Sequence, residues 1–208
     1  TDDKVSKRAL NEAIDQGVTF IDTADVYGFG HSEELIAEVI KERGKKNIVI
    51  ATKAGNDFYF AEQEDDEGYG AIQQTYTKEY LIYAAEQSLK RLNVETLDVL
   101  QLHSPDLEKL ERDEPWDALQ QLKKDGKILA AGVSNYTSDQ MKEADRITDI
   151  VTNQVPYSMV LRDIEIDLVP YCLQTGKGIL AYSPLQRGVL TGKITSGYTF
   201  NPGDHRPQ

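Results

Sequence analysis

Short runs of β-branched and other apolar residues alternate with stretches of helical periodicity along the chain, and this alternation limits the possible folds. We predict strands at residues 18–21, 47–52, 97–102, 128–133, 149–152 and 179–181. Successive runs lie very roughly 30 residues apart, which is the length of a βαβ unit. Because a helical crossover joins parallel strands, the pattern predicts an α/β fold with a parallel sheet, either doubly wound or closed as a barrel.

The intervening segments carry the apolar spacing and the end signals of helices. We predict helices at residues 3–16, 32–43, 77–92, 115–125, 137–147 and 164–174. Ser32 is suited to an N-cap, and Thr137 with Gln140 has the spacing of a capping box. The last helix is expected to break at or near Pro170. We expect a loop at 54–76 and a loose tail at 195–208, within a single domain of 208 residues.

The charge balance is acidic: 23 lysines and arginines stand against 35 aspartates and glutamates, a formal net charge of −12. Such a surface argues against binding to nucleic acid or to an anionic membrane. The single cysteine, Cys172, excludes an internal disulfide framework and fits a reducing compartment. No apolar stretch approaches the roughly 20 residues that span a bilayer, and no signal peptide is visible, so a cytoplasmic location is expected.

Polar side chains stand at the carboxyl ends of the predicted strands, one set to each strand. They are Asp22, Lys53, His103, Ser134 with Asn135, Gln154, and Tyr182 with Ser183. In a (β/α)8 barrel these ends share one face and converge on one site, whereas an open sheet would spread them across its width. We therefore predict the barrel.

The residue types at these ends suggest proton donation to an oxygen. Asp22 follows an apolar run, and an ionised carboxylate there needs a cation such as Lys53 as its partner. A phenol, with an unperturbed pKa of about 10, is a weak acid near neutrality, and a neighbouring ammonium favours its phenolate. Lys53 would thus activate Tyr27, and His103 could polarise or orient a substrate carbonyl. Because another agent must then attack the carbon, a nicotinamide cofactor delivering hydride is the economical choice.

Each of these residues also has a plainer explanation. His103 alone would be a structural histidine, and Asp22 with Lys53 could be a structural ion pair. Their joint placement at consecutive strand ends is what favours a catalytic site. A metal-dependent hydrolase barrel is a further alternative, but the sequence has three histidines and no His-x-His pair at a strand end, so no metal site is expected.

Several motifs lie in order along nearly the whole chain, at residues 20–28, 32–33, 88–92, 97–103, 126–128, 132–135 and 181–193. They read FIDTADVYG, SE, SLKRL, LDVLQLH, GKI, GVSN and AYSPLQRGVLTGK. Together they resemble the aldo-keto reductases. The resemblance implies a carbonyl reductase on a (β/α)8 TIM barrel that acts on small-molecule carbonyl compounds. It also implies NADP(H) as the cofactor, with NAD(H) not excluded.

The resemblance implies a role for each matching residue. Tyr27 would be the general acid, with Asp22 and Lys53 as its tuning pair. His103 would orient the substrate. The implied cofactor-binding residues are Asp22, then Ser134, Asn135 and Gln154 for the nicotinamide amide, Tyr182 for the ring, and Ser183, Pro184, Leu185, Arg187, Gly188 and Lys193 for the pyrophosphate. The alternative is a cofactor-binding regulatory subunit with little turnover, similar to the potassium-channel β subunits, although His103 argues against it.

The resemblance begins in the first helix of the barrel and stops in the loop after its seventh strand. We therefore expect these 208 residues to lack the barrel's first and eighth strands and its C-terminal helices, and to be part of a longer protein. Because those two strands are neighbours in a closed barrel, the predicted sheet has two unpaired edges.

Overall fold

The structure, a computed structural model, describes residues 2–45, 47–60, 72–105, 113–200 and 204. The helices are α1 (Asp3–Asp15), α2 (His31–Arg43), α3 (Lys78–Leu92), α4 (Glu114–Lys124), α5 (Ser138–Ile147) and α6 (Leu168–Thr175). The strands are β1 (Phe20–Asp22), β2 (Val49–Ala54), β3 (Asn56–Asp57), β4 (Gln73–Gln74), β5 (Leu97–Leu102), β6 (Ile128–Ser134), β7 (Ile150–Pro156) and β8 (Gly178–Tyr182). Short 3₁₀ helices cover Asp163–Glu165 and Gln186–Thr191. None of the described helices is both long and apolar enough to cross a lipid bilayer.

Six of the described strands form one parallel sheet in the order β1-β2-β5-β6-β7-β8. A helix separates each strand of this sheet from the next along the chain. The order never reverses, whereas a doubly wound sheet changes direction at its switch point. The sheet therefore winds in one direction, as a barrel does, and the carboxyl ends of its strands lie along one edge.

The core lies where the helices pack against this sheet. Leu119 and Leu122 of α4 are almost completely buried, as are Leu100 of β5 and Val133 of β6. Full burial of a leucine side chain contributes about 1.5–3 kcal/mol, so this layer anchors the strands whose ends carry the polar residues. Helix α1 is the exception among the described α-helices, because none of its residues is buried.

Helix starts follow the sequence signals in part. The capping box of α5 is present: the Thr137 side chain accepts from the Gln140 backbone, and the Gln140 side chain accepts from the Thr137 backbone. The prediction of Ser32 as an N-cap is wrong, because α2 begins after Gly30 and Ser32 lies inside the helix. Gly30 has a φ of 95°, and a Cβ there would lie 2.6 Å from Cδ of Arg91. A glycine is therefore required at this turn.

The predicted loop at residues 54–76 contains regular structure that the sequence did not reveal. Strands β3 and β4 pair antiparallel, with Asn56 opposite Gln74 and Asp57 opposite Gln73. Two-residue strands are too short for the alternation that identifies a strand. Residues 61–71 of the predicted loop lie outside the described residues.

In the C-terminal half one strand end differs from the prediction, and the break in the last helical segment lies near the predicted position. Strand β7 continues to Pro156, so Asn153 and Gln154 lie within it and do not follow it. The helical segment breaks at Asp167, near Pro170, and the Asp167 side chain accepts from the Leu168 backbone N–H. Pro170 lies in the first turn of α6, where a missing N–H removes no intrahelical hydrogen bond.

Candidate active site

An ion pair lies at the carboxyl ends of the first two strands. Asp22 is the last residue of β1, and Lys53 is the penultimate residue of β2. The Lys53 Nζ donates to Oδ2 of Asp22 at 2.8 Å and to the carbonyl oxygen of Thr23 at 2.6 Å. The Lys53 side chain is 1% exposed, whereas the Asp22 side chain is 33% exposed. The cation is thus fixed inside the sheet while its counter-ion reaches solvent.

Tyr27 lies between β1 and α2 and contacts two of the other three predicted catalytic residues, Lys53 and His103. The Lys53 Nζ is 5.1 Å from the centroid of the Tyr27 ring. The His103 ring meets the same phenol edge to face, with 5.8 Å between centroids and an interplanar angle of 85°. The structure therefore brings Asp22, Lys53, Tyr27 and His103 together, although they are spread over more than 80 residues of sequence.

Burial lowers the pKa values of the two basic side chains, Lys53 and His103. Burial lowers the pKa of Lys53, and the charge and hydrogen bond of Asp22 oppose that change. Burial, and then the charge of Lys53, lower the pKa of His103 to about 4. His103 is therefore a neutral imidazole near neutral pH, and its buried Nδ1 has no hydrogen-bond partner among the described residues.

The residues predicted to bind the nicotinamide amide lie on neighbouring strands beside His103. Ser134 ends β6, and its hydroxyl donates to the carbonyl oxygen of Leu102 at 3.0 Å and accepts from the Ser104 backbone at 2.6 Å. The Asn135 side chain donates to Oγ of Ser104 at 2.9 Å. Gln154 pairs with Ser134 in the sheet. These residues form one polar patch at the carboxyl edge of the sheet, in which hydrogen bonds link Ser134 and Asn135 to Ser104.

The Tyr182 side chain joins this patch from the last strand. Its hydroxyl donates to Oδ1 of Asn135 at 3.0 Å, and the residue is 38% exposed. The chain then turns sharply, with positive φ at Ser183 and at each of residues 186–188. Arg187 and Lys193 are exposed along this loop, as are Pro184 and Leu185, while Ser183 and Gly188 are half-buried. An exposed ring is thus followed by a tightly wound loop that carries cations.

Comparison with family models matches residues 1–208 to the aldo/keto reductase family. The chain belongs to this family. The predicted family and the predicted (β/α)8 fold class are thereby confirmed, and the described residues hold six strands of the parallel sheet.

Known aldo-keto reductases match most of this chain. The aldo-keto reductase YhdN of Bacillus subtilis (strain 168) is 36% identical over 207 residues, which cover 99% of this chain and 60% of that protein. The glycerol dehydrogenase AKR11B4 from Gluconobacter oxydans has a TM-score of 0.87 at 38% identity, covering 96% of this chain and 59% of that chain. An aldo/keto reductase from Klebsiella pneumoniae in complex with NADP and acetate has a TM-score of 0.71 at 30% identity. The match covers 94% of this chain and 62% of that chain. The chain thus spans about 60% of the length of these reductases.

Some groups of this candidate site were not identified from the sequence. Gln101 donates to Asp22 from within β5, and the hydroxyl of Tyr76 donates to the carbonyl oxygen of His103 at 2.8 Å. A signal for Gln101 was present, because it is a polar residue inside an apolar strand and lies two positions before His103. Side chains two apart point to the same face of a strand. Tyr76 gave no comparable signal, because it lies in a stretch with no periodicity.

A second group of charged side chains lies close to the segment between β1 and α2. Glu33 of α2 is fully buried, and it accepts from Nε of Arg91 at 2.7 Å and from the Thr52 hydroxyl at 2.6 Å. Asp25 is also fully buried, but neither of its carboxylate oxygens has a hydrogen-bond partner among the described residues. Burial, and then the charge of Glu33, raise the pKa of Asp25 well above its ordinary value, while Arg91 and Lys53 oppose the rise.

Replacing Asp25 by asparagine is expected to stabilise the protein in alkaline solution. The folded-state pKa of Asp25 is raised, so the folded protein binds more protons than the unfolded chain, and the free energy of unfolding falls as pH rises above about 4. Asparagine removes this dependence. We expect Asp25→Asn to be about 1–3 kcal/mol more stable than wild type at pH 8 and to match it near pH 4. Urea unfolding at several pH values measures the free energy of unfolding of the variant and of wild type.

The exposed Asp149 offers a control for this substitution, because its side chain is 68% exposed. Asp149→Asn should change the free energy of unfolding little at any pH. A stability difference between Asp25→Asn and wild type that does not grow with pH would show that Asp25 is not a buried, raised-pKa acid.

Proposed function

We propose that the protein reduces aldehydes or ketones to alcohols with a nicotinamide cofactor, and that Tyr27 is the general acid. The observation that carries this proposal is the contact of the Tyr27 ring with both Lys53 and His103 at one strand edge. A phenol beside a buried ammonium and a neutral imidazole suits proton donation to an oxygen near neutral pH. The family name and the names of the reported relatives support the same reaction class.

Each catalytic side chain has a defined task in this reaction. In this proposal the neutral His103 ring donates a hydrogen bond to the carbonyl oxygen and so orients it beside Tyr27; the ring contact between His103 and Tyr27 supports this role. Tyr27 transfers its hydroxyl proton to that oxygen, and the positive charge of Lys53 stabilises the phenolate that remains. Asp22 keeps Lys53 in position through the 2.8 Å ion pair. When bound, the nicotinamide supplies the hydride that the carbonyl carbon accepts.

The strand ends fit a dinucleotide cofactor. The side-chain amides of Asn135 and Gln154 and the hydroxyl of Ser134 offer donors and acceptors suited to a carboxamide. The exposed Tyr182 offers a ring face for stacking. The backbone turn at residues 186–188 includes Arg187, which carries a positive charge. Successive backbone N–H groups in such a turn, with nearby cations, suit a diphosphate.

We propose NADP(H) as this cofactor, with NAD(H) as the alternative to be tested. The support is the Klebsiella pneumoniae relative, whose structure is a complex with NADP and acetate. A regulatory subunit with little turnover is not favoured, because the reported relatives are named as reductases and a dehydrogenase. A cytoplasmic location is part of the proposal, since a single cysteine suits a reducing compartment.

The test follows the hydrogen atom from cofactor to product. The intact protein that contains this chain is incubated with 4-nitrobenzaldehyde and NADPH carrying deuterium at C4 of the nicotinamide. We expect NADPH oxidation and an alcohol whose carbinol carbon carries deuterium, detected by mass spectrometry. NADH is compared at equal concentration. Tight NADPH binding without turnover of any aldehyde or ketone would instead support the regulatory alternative.

A further inference from the structure

Gln101 makes a contact that links three strands of the site. Its side chain is fully buried in β5, and it lies opposite Lys53 in the parallel register. Its Nε2 donates to Oδ1 of Asp22 at 3.3 Å, which requires the side chain to reach past β2 to β1. Asp22 uses its other oxygen, Oδ2, to accept from Lys53 at 2.8 Å. The carboxylate is thus held from two sides.

The neighbouring strand provides the space for this amide. Gly132 of β6 lies opposite Gln101, and a Cβ at position 132 would lie 2.9 Å from Cγ of Gln101 and 2.3 Å from Oγ1 of Thr152. Any larger residue at 132 would therefore displace the Gln101 side chain. Placing an amide here is unfavourable by itself, because its buried Oε1 has no partner among the described residues. Packing alone would favour leucine or methionine at this position, so the hydrogen bond to Asp22 explains the glutamine.

We infer that Gln101 is a positioning residue, which orients Asp22 so that its Oδ2 holds the Lys53 ammonium against Tyr27. This inference rests on the proposed function. A neutral N–H donor suits the task, because it fixes the carboxylate without neutralising it. A cation at position 101 would compete with Lys53 for the same charge.

Replacing Gln101 by leucine tests the inference in the intact protein. We expect kcat for 4-nitrobenzaldehyde to fall about 10- to 100-fold, since a hydrogen bond to a charged group is lost, while the KM for NADPH stays nearly constant. Asp22 opposes the lowering of the Lys53 pKa by burial. If Asp22 moves away, that pKa falls further, so the alkaline limb of the pH profile of kcat should move to lower pH.

Two further variants separate this role from simple packing. Gln121 on α4 donates to Asp125 at 2.9 Å on the exposed surface, so Gln121→Leu removes a similar hydrogen bond and should leave kcat unchanged. Gln101→Glu should be as impaired as Gln101→Leu at pH 8, where its carboxylate repels Asp22. It should recover activity as pH falls toward 5, because a protonated carboxyl can donate to Asp22. The titratable groups around Lys53 in this site are Asp22, Tyr27 and His103, and the charge of Asp25 also acts on Lys53. The pKa of His103 is lowered to about 4, so His103 does not titrate between pH 5 and 8.

A double-mutant cycle shows whether Gln101 acts through Asp22. Once Asp22→Ala has removed the acceptor, adding Gln101→Leu should lower kcat little further. Full additivity, or an unchanged kcat and pH profile in Gln101→Leu, would overturn the inference. If wild type reduces no carbonyl compound, the proposed function fails. The free energy of unfolding is then measured for the same four proteins in place of kcat. Coupling between the two substitutions then supports the contact, and additivity overturns it.

Discussion

Replacing Tyr27 by phenylalanine is expected to lower kcat for carbonyl reduction about 10²–10⁴-fold, the range for loss of a general acid. Phenylalanine keeps the ring that contacts Lys53 at 5.1 Å and His103 at 5.8 Å, and it removes only the hydroxyl. The affinity for NADPH should therefore be unchanged. NADPH oxidation with 4-nitrobenzaldehyde measures kcat, and fluorescence titration measures the dissociation constant of NADPH.

Tyr83 provides a matched control for this substitution. It is 38% exposed, as Tyr27 is, but it lies on α3 among aromatic rings away from the ion pair. Tyr83→Phe should leave kcat within about twofold of wild type, as surface substitutions usually do. If Tyr27→Phe retained most of the activity, the proton would have to come from another group, and His103 would be the first to test.

The fold was largely predictable because its signals are local and repeated. Each apolar run and each helical stripe recurs along the chain, and the capping box at Thr137 and Gln140 lies within four residues. The start of α2 was missed because it depends on a distant contact. Gly30 is required where the Arg91 side chain of α3 approaches, 61 residues later in the chain, and Ser32 alone looks like a cap. The end of β7 was missed because Asn153 is polar and so looks like a residue that follows a strand. It is in fact fully buried, and its side-chain amide is paired with the backbone of Tyr136.

The candidate site was predictable where one residue type stands out at a strand end. Asp22, Lys53 and His103 each interrupt an apolar run, and the parallel order brings those ends together. The supporting contacts were not predictable, because they depend on side-chain reach across strands. Gln101 was visible as part of a motif, but only the structure shows its amide directed at Asp22. The roles assigned to these side chains stay predictions until the variants are measured.

Replacing Lys53 by methionine is expected to lower kcat about 10²–10³-fold, the usual effect of losing one preorganised group that stabilises developing charge. Methionine has a similar length and keeps the buried stem packed, but it leaves the phenolate of Tyr27 without its nearby cation. Asp22 is 33% exposed, so water can solvate its carboxylate after the ammonium is gone. The folded state should therefore survive, which thermal unfolding checks, while kcat is measured by NADPH oxidation.

Lys177 makes the same pair of contacts elsewhere in the fold and so separates catalysis from stability. Its Nζ donates to Asp145 at 2.8 Å and to the backbone carbonyl of Ile150, and its side chain is 10% exposed. Lys177→Met should lower the melting temperature at least as much as Lys53→Met, yet leave kcat unchanged. Lys53→Arg keeps the charge and should retain more activity than Lys53→Met. Equal losses of kcat in the Lys53→Met and Lys177→Met variants would mean that Lys53 acts through stability alone.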